Sequence, residues 1–333
     1  MSQMLKTSIR TLLSACALAV ASAAIAAPGP DSKPEAGTFK MGIEPWLGYG
    51  LWHVAAEKKL FEARGLEGVD VINFNEDKDI NAALASGQID GANIATHTAM
   101  SMVAAGLPVK IVLVLDQSMT ADAIIASPEI KSVADMRGKP VAFEEGTTSD
   151  ILLHSALTAN GMNMGDIQPV PMPASSAGSA LIAGQVPVAV TYEPYLTIAK
   201  QQNADVNVLY TGKDDPGIVS DVFVVRNDVL EKKPGQIIAL IKTWQDSVEA
   251  YNTNTAESRA TIAKAVGASL EELESAFDGV KYFTLADNQE QLTGSFSTEA
   301  FPHVLKAATE AGLVQEKVTP EQMIDARFVE ATR

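Results

Sequence analysis

Five carboxylates, Glu44, Asp116, Glu145, Glu193 and Asp221, stand at the ends of strand-like runs or at breaks between them, and no Lys or Arg shares their loops. Several carboxylates in one desolvated cleft are costly unless a cation joins them, so the set calls for an ammonium, a guanidinium or a metal ion. Solvent-facing acids are the plain alternative in a chain of net charge −16. Trp46 and Tyr49 flank Glu44, and aromatic faces hold cationic heads at ~0.5–2 kcal/mol each, with ordinary packing as the competing reading. Tyr195, together with Tyr192, supplies an aromatic opposite wall. Chemistry of the other sign sits in Gly146-Thr147-Thr148-Ser149, which precedes a helical run. Its N–H groups and hydroxyls form either an anion seat or a simple helix cap. Thr96 and His97 occupy the corresponding position of the other half, His97 as a ligand contact or as a structural histidine. A zwitterion satisfies both sets; a pure cation better explains the number of acids.

These groups need a scaffold that brings separate loops to one point. Ala83-Leu-Ala-Ser-Gly-Gln-Ile-Asp-Gly-Ala92 nearly recurs as Ala180-Leu-Ile-Ala-Gly-Gln-Val-Pro-Val-Ala189. In each copy an apolar helix ends on Gly and leads into a short β-rich segment. Met41-Gly-Ile-Glu44 and Val141-Ala-Phe-Glu144 make a second pair at a similar offset, so the chain reads as two similar α/β halves. Each repeat aims a loop at the cleft, Thr96-His97-Thr98 in one half and Glu193-Pro194-Tyr195 in the other. Residues 109–115 are almost all apolar, as in a buried parallel strand, and 116–122 are polar and break the pattern. The first crossing between lobes is placed there, and residues 220–226 form the returning strand. Lobe 1 is then built from 38–118 and 222–333 and lobe 2 from 119–221, and such a double crossing makes a hinge. From residue 231 the chain is almost wholly helical, with Ile237, Leu240, Ile241, Trp244, Val248 and Tyr251 marking one apolar face.

With 333 residues, 47% of them hydrophobic, and a mean hydropathy of +0.08, the chain can fill two ordinary cores. Its acidity argues against nucleic acid as a partner. Residues 1–26 read as a secretory signal peptide: Lys6 and Arg10 come first, a small-apolar run follows, and Ala24-Ile25-Ala26 is a cleavage site. Leu13-Ser14-Ala15-Cys16 offers the alternative of a lipid anchor at Cys16. Residues 27–38 read as a flexible leader. Cleavage removes the single Cys, which leaves no disulfide, thiol nucleophile or Cys-ligated zinc. The four His are widely spaced and no G-x-S-x-G, H-E-x-x-H or P-loop occurs, so no catalytic residue, cofactor or metal ligand is assigned.

These features together resemble the periplasmic binding proteins of ABC importers, in the branch that handles nitrate, aliphatic sulfonates, taurine and thiamine pyrimidine precursors. The L-x-x-G-Q repeats, the Gly-Thr-Thr-Ser turn, Glu193-Pro-Tyr195, Ser220-Asp-Val-Phe-Val-Val-Arg226, Tyr282-Phe-Thr-Leu and Arg327-Phe-Val carry the resemblance over essentially the whole chain after residue 26. It is most similar to taurine-binding members, whose acidic positions Glu44 and Asp221 match. The resemblance implies a two-lobed type II fold, with two Rossmann-like α/β lobes joined by a double-crossing hinge. It also implies a monomer in the periplasm that closes on a small molecule and docks on an inner-membrane ABC permease. Some relatives are enzymes that make thiamine pyrimidine from a His and pyridoxal phosphate, but they share a Cys-rich motif that the chain after residue 26 lacks, so no enzymatic activity is expected. The departure lies in the acids, since sulfonate and nitrate binders present cationic or mostly neutral donors. The expected ligand is therefore a small amine-bearing solute, a taurine-like zwitterion or a guanidinium or ammonium cation. A sulfonate, nitrate or pyrimidine-precursor binder, or a periplasmic ligand sensor, is the alternative.

Overall fold

A computed structural model describes residue 29 and residues 32–333. The signal peptide, the alternative anchor at Cys16 and part of the leader lie outside the described residues. In chain order the strands are β1 (Thr38–Ile43), β2 (Gly68–Asn73), β3 (Gly91–Ala95), β4 (Val109–Ser118), β5 (Asp122–Ala126) and β6 (Pro140–Phe143), followed by β7 (Gln168–Pro171), β8 (Val188–Tyr192), β9 (Asn207–Thr211), β10 (Ser220–Arg226) and β11 (Val280–Tyr282). They form two sheets, ordered β11-β4-β10-β3-β1-β2 and β7-β6-β8-β5-β9.

The two sheets share one plan. Setting β11 aside, the first reads β2-β1-β3-β10-β4 and the second β7-β6-β8-β5-β9. Met41 pairs with Gly91 and Gly42 with Ala92 in one; Val141 pairs with Val188 and Ala142 with Ala189 in the other. These are the residues of the two sequence repeats, so the duplicated motif is a duplicated register. Each sheet also receives one antiparallel strand directly after the chain changes sheet. Between Ser118 and Asp122 the chain enters the second sheet as β5, and between Thr211 and Ser220 it returns to the first as β10. The result is the two-lobed α/β fold predicted from the sequence.

The polar residues from 116 differ from the sequence reading. Asp116, Gln117 and Ser118 do not break the strand; they extend β4. Their backbone is paired on both sides, with Asp116 opposite Asp221 of β10 and Tyr282 of β11. A full hydrogen-bond ladder outweighs the polar side chains there. The short strands β7, β9 and β11 have no period in the sequence. β7 carries two prolines and lies at a sheet edge, where proline is tolerated.

Buried polar ties hold the opening of the chain in place. The fully buried Trp52 indole donates to Asn93 Oδ1 at 2.8 Å, and Asn93 Nδ2 donates to the Gly42 carbonyl at 3.0 Å. This joins the helix Leu51–Glu57 to β3 and β1. The helix Pro234–Thr253 buries the whole predicted apolar face, and its Trp244 indole donates to the Phe283 carbonyl at 2.8 Å.

Candidate functional site

The carboxyl ends of the parallel strands and the starts of β5 and β10 meet in a cleft between the two sheets. This is where open α/β sheets place ligands. Glu44 follows β1 and Glu144 follows β6, at equivalent positions of the two halves. Asn75 and Glu76 precede one helix of the pair and Pro173 precedes the other, with Ala174 and Ser175 in its first turn. Ala95 ends β3, Thr191 and Tyr192 end β8, Asp122 opens β5, and Val219 and Asp221 lie at the start of β10. Trp46, Tyr49, Thr147, Thr148 and Ser149 complete the wall. The space left for the centres of water-sized molecules is about 100 Å³. One water needs about 10–15 Å³ on that measure, so a solute of several non-hydrogen atoms fits.

Electrostatically the wall is acidic. Glu44, Glu76, Asp122, Glu144 and Asp221 line it, and among the described residues no Lys, Arg or His does. The Tyr49 hydroxyl donates to Asp221 Oδ1 at 3.0 Å, and the Trp46 indole donates to Asp116 Oδ1 at 3.1 Å just beneath. Burial pushes the Asp122 carboxyl up to about 7; a hydrogen bond with Ser118 opposes the rise, and the charges of Asp221 and Glu193 add to it. Burial, then the Asp221 charge, drives Asp116 well above the usual carboxylate range. Burial likewise raises the Tyr192 phenol, so that it stays neutral. The Tyr192 ring lies edge-on to Trp46 at 6.2 Å and to Tyr195 at 5.3 Å.

Of the residues singled out in the sequence, Glu44, Trp46, Tyr49, Thr147, Thr148 and Asp221 reach this wall, and Thr96, His97, Asp116, Glu145, Glu193 and Tyr195 do not. Thr96 turns its hydroxyl to Ser220, donating to the backbone carbonyl at 2.9 Å. His97 is buried at the start of the helix Thr96–Ala104. Glu193 accepts from Thr197 N at 3.0 Å and from the Thr197 hydroxyl at 2.9 Å, tying down the first turn of the helix Tyr195–Gln202. Glu145 is exposed, and Tyr195 stands behind Tyr192. The loops after the repeats thus reach the cleft through their strand-end residues, Ala95 and Tyr192, one position earlier than the sequence reading has it. In the Gly146–Ser149 turn two of the four N–H groups, those of Gly146 and Ser149, are engaged within the turn and its helix. Glu144 N donates to Ser149 Oγ, Gly146 N to Asp150 Oδ2 and Ser149 N to Thr147 Oγ1.

The wall also contains Glu76, Asp122, Glu144 and Thr191, which the sequence reading does not single out. Glu144 had a signal, its equivalence to Glu44 in the second repeated pair. Its carboxylate accepts from Ala174 N at 2.9 Å, at the start of the helix Ala174–Ile182.

The pattern of the NMT1/THI5 like family matches residues 50–258, more than half of the chain. The chain belongs to this family. The NMT1/THI5-like chain is 32% identical over 232 residues to the riboflavin-binding protein RibY of Chloroflexus aurantiacus, covering 64% of each chain. To the taurine-binding periplasmic protein of Escherichia coli K12 it is 24% identical over 288 residues, covering 83% of this chain and 88% of the relative. Its fold matches the crystal structure of the periplasmic aliphatic sulphonate binding protein SsuA from Escherichia coli with a TM-score of 0.74 at 22% identity, covering 87% of this chain and 92% of that one.

Proposed function

We propose that this NMT1/THI5-like protein is the periplasmic solute-binding component of an ABC importer and that it captures a small amine-bearing solute in the interlobe cleft. The importer role draws on the fold, the family and the functions of the relatives. The ligand's charge draws on one observation: five carboxylates and three aromatic rings line the cleft, and among the described residues no cationic side chain does. Glu76 pairs with Lys78, and the remaining acids leave the wall with an excess of negative charge that an ammonium or guanidinium group would offset and a nitrate or a plain sulfonate would meet unfavourably. Among the described residues no group of three His, Cys, Asp or Glu side chains is disposed to hold a metal ion, which favours an organic cation. The space of about 100 Å³ for the centres of water-sized molecules suits a compact solute. Glu44 and Asp221 carry the charge recognition in this reading, Trp46 and Tyr49 supply aromatic faces, and the lobes close about the two crossings before docking on the permease.

A taurine-like zwitterion is the second reading, favoured by the Thr148 and Ser175 hydroxyls on the same wall. Its sulfonate would sit there and its ammonium against the acids. A thermal-shift panel of guanidinium, choline, taurine, ethanesulfonate and nitrate at millimolar concentration tests the proposal. Stabilisation by the amine-bearing compounds supports it, and stabilisation by the two plain anions alone refutes it.

A further inference from the structure

At the floor of the cleft two carboxyls lie side by side. Asp116 of β4 and Asp221 of β10 are opposite one another in the antiparallel ladder, and both are buried. The opening loop covers them with one donor each, Trp46 Nε1 on Asp116 Oδ1 at 3.1 Å and Tyr49 OH on Asp221 Oδ1 at 3.0 Å. The second Asp116 oxygen is buried with no hydrogen-bond partner among the described residues, on a residue that the strand register sets opposite Asp221. Two ionised carboxylates opposite one another in a buried site repel, so the pair favours a proton on one of them, which can then donate to the other. The two positions are not equivalent for that proton. Asp221 lines the cleft, where a ligand or water can solvate its charge; Asp116 is wholly buried beneath it and would ionise at greater cost.

We propose that the pair holds a single proton on Asp116, which donates to Asp221 and so aims one ionised carboxylate into the cleft. Asp116 is then a positioning residue for the cation site, and the floor of the cleft carries one negative charge instead of two. The proposal rests on the amine-binding reading only for the sign of the ligand. The ionisable groups that face the pair from the elements around it include Glu44 and Tyr49 of the opening loop, Asp122 of β5, Tyr282 of β11 and His97 of the helix Thr96–Ala104. The Tyr282 hydroxyl donates to the Leu47 carbonyl at 2.8 Å, so its proton is directed to the loop. Burial acts on Asp116 in the direction the proposal needs.

Carboxyl carbon NMR of the ligand-free protein, labelled at Asp and assigned with D116N and D221N, reads the proton directly. At about pH 7.5 the Asp116 resonance is expected at a protonated position and the Asp221 resonance at an ionised one; two ionised resonances overturn the proposal. Because no ligand is present, this result stands apart from the fate of the amine-binding reading. With guanidinium as probe, D116N, which keeps a neutral donor of the same shape, is expected to bind within about threefold of the parent, whereas D221N is expected to weaken binding by about tenfold or more. Equal loss in both variants contradicts the positioning role.

Discussion

Asp122 couples the cleft's charge to proton binding. Its carboxyl is raised from 3.8 to about 7 in the folded chain, so the native state binds this proton more tightly than the unfolded state does. The sign follows: the contribution of Asp122 to ligand-free stability is present below about pH 4 and is lost as the pH climbs to about 7. Asp122→Asn should flatten that decline and raise stability at about pH 8 by about 1–3 kcal/mol, as measured by urea denaturation across pH. Cation binding favours the ionised carboxyl, so affinity for an amine should rise between about pH 6 and about pH 8 with proton release, and calorimetry in buffers of different ionisation enthalpy counts that proton. The sequence made Glu44, Trp46 and Asp221 legible because each sits where a strand meets a loop. It could not separate Asp116 from Asp122. Both belong to one polar run, and only the crossing between sheets sends one to the cleft wall and the other beneath it.

At the scale of elements, the loop between β1 and the helix Leu51–Glu57 fits over the floor because Gly48 has no side chain. A Cβ there would lie 2.2 Å from Trp46 Nε1 and 2.3 Å from the Asp116 carboxyl. Gly48→Ala should therefore cost about 1–3 kcal/mol in stability and displace the Trp46 and Tyr49 donors, a change visible as lost amine binding in titration. Glu193 offers the contrasting case. Its carboxylate is committed to Thr197, so Glu193→Gln should lower stability by about 1 kcal/mol and change amine affinity far less than Glu44→Gln does. From sequence, Glu193 and Glu44 look alike, two acids beside a proline after a strand. The distinction comes from the helix start at Tyr195, whose first turn takes Glu193 away from the cleft. The continuation of β4 through Asp116 was hidden for a related reason. Its partners β10 and β11 come from far along the chain, and pairing partners do not show in local hydropathy.

For the whole molecule, two sheets of one plan, exchanging one strand each at the crossings, place equivalent loops face to face. The repeated A-L-x-x-G-Q segments reveal that plan in the sequence, since they fix the register of β3 against β1 and of β8 against β6. Their chemical difference is what the duplication leaves room for: hydroxyls and acids on one wall, aromatic rings and acids on the other. Closure about the crossings should shrink the radius of gyration in small-angle scattering when an amine-bearing ligand is added and leave it unchanged with nitrate. The central claim is that the cleft selects positive charge. Isothermal titration at about pH 8 with guanidinium, choline, taurine, ethanesulfonate and nitrate tests it most directly. The account predicts saturable binding by at least one amine-bearing compound and none by ethanesulfonate or nitrate; tight binding of either anion with no binding of any amine would contradict it.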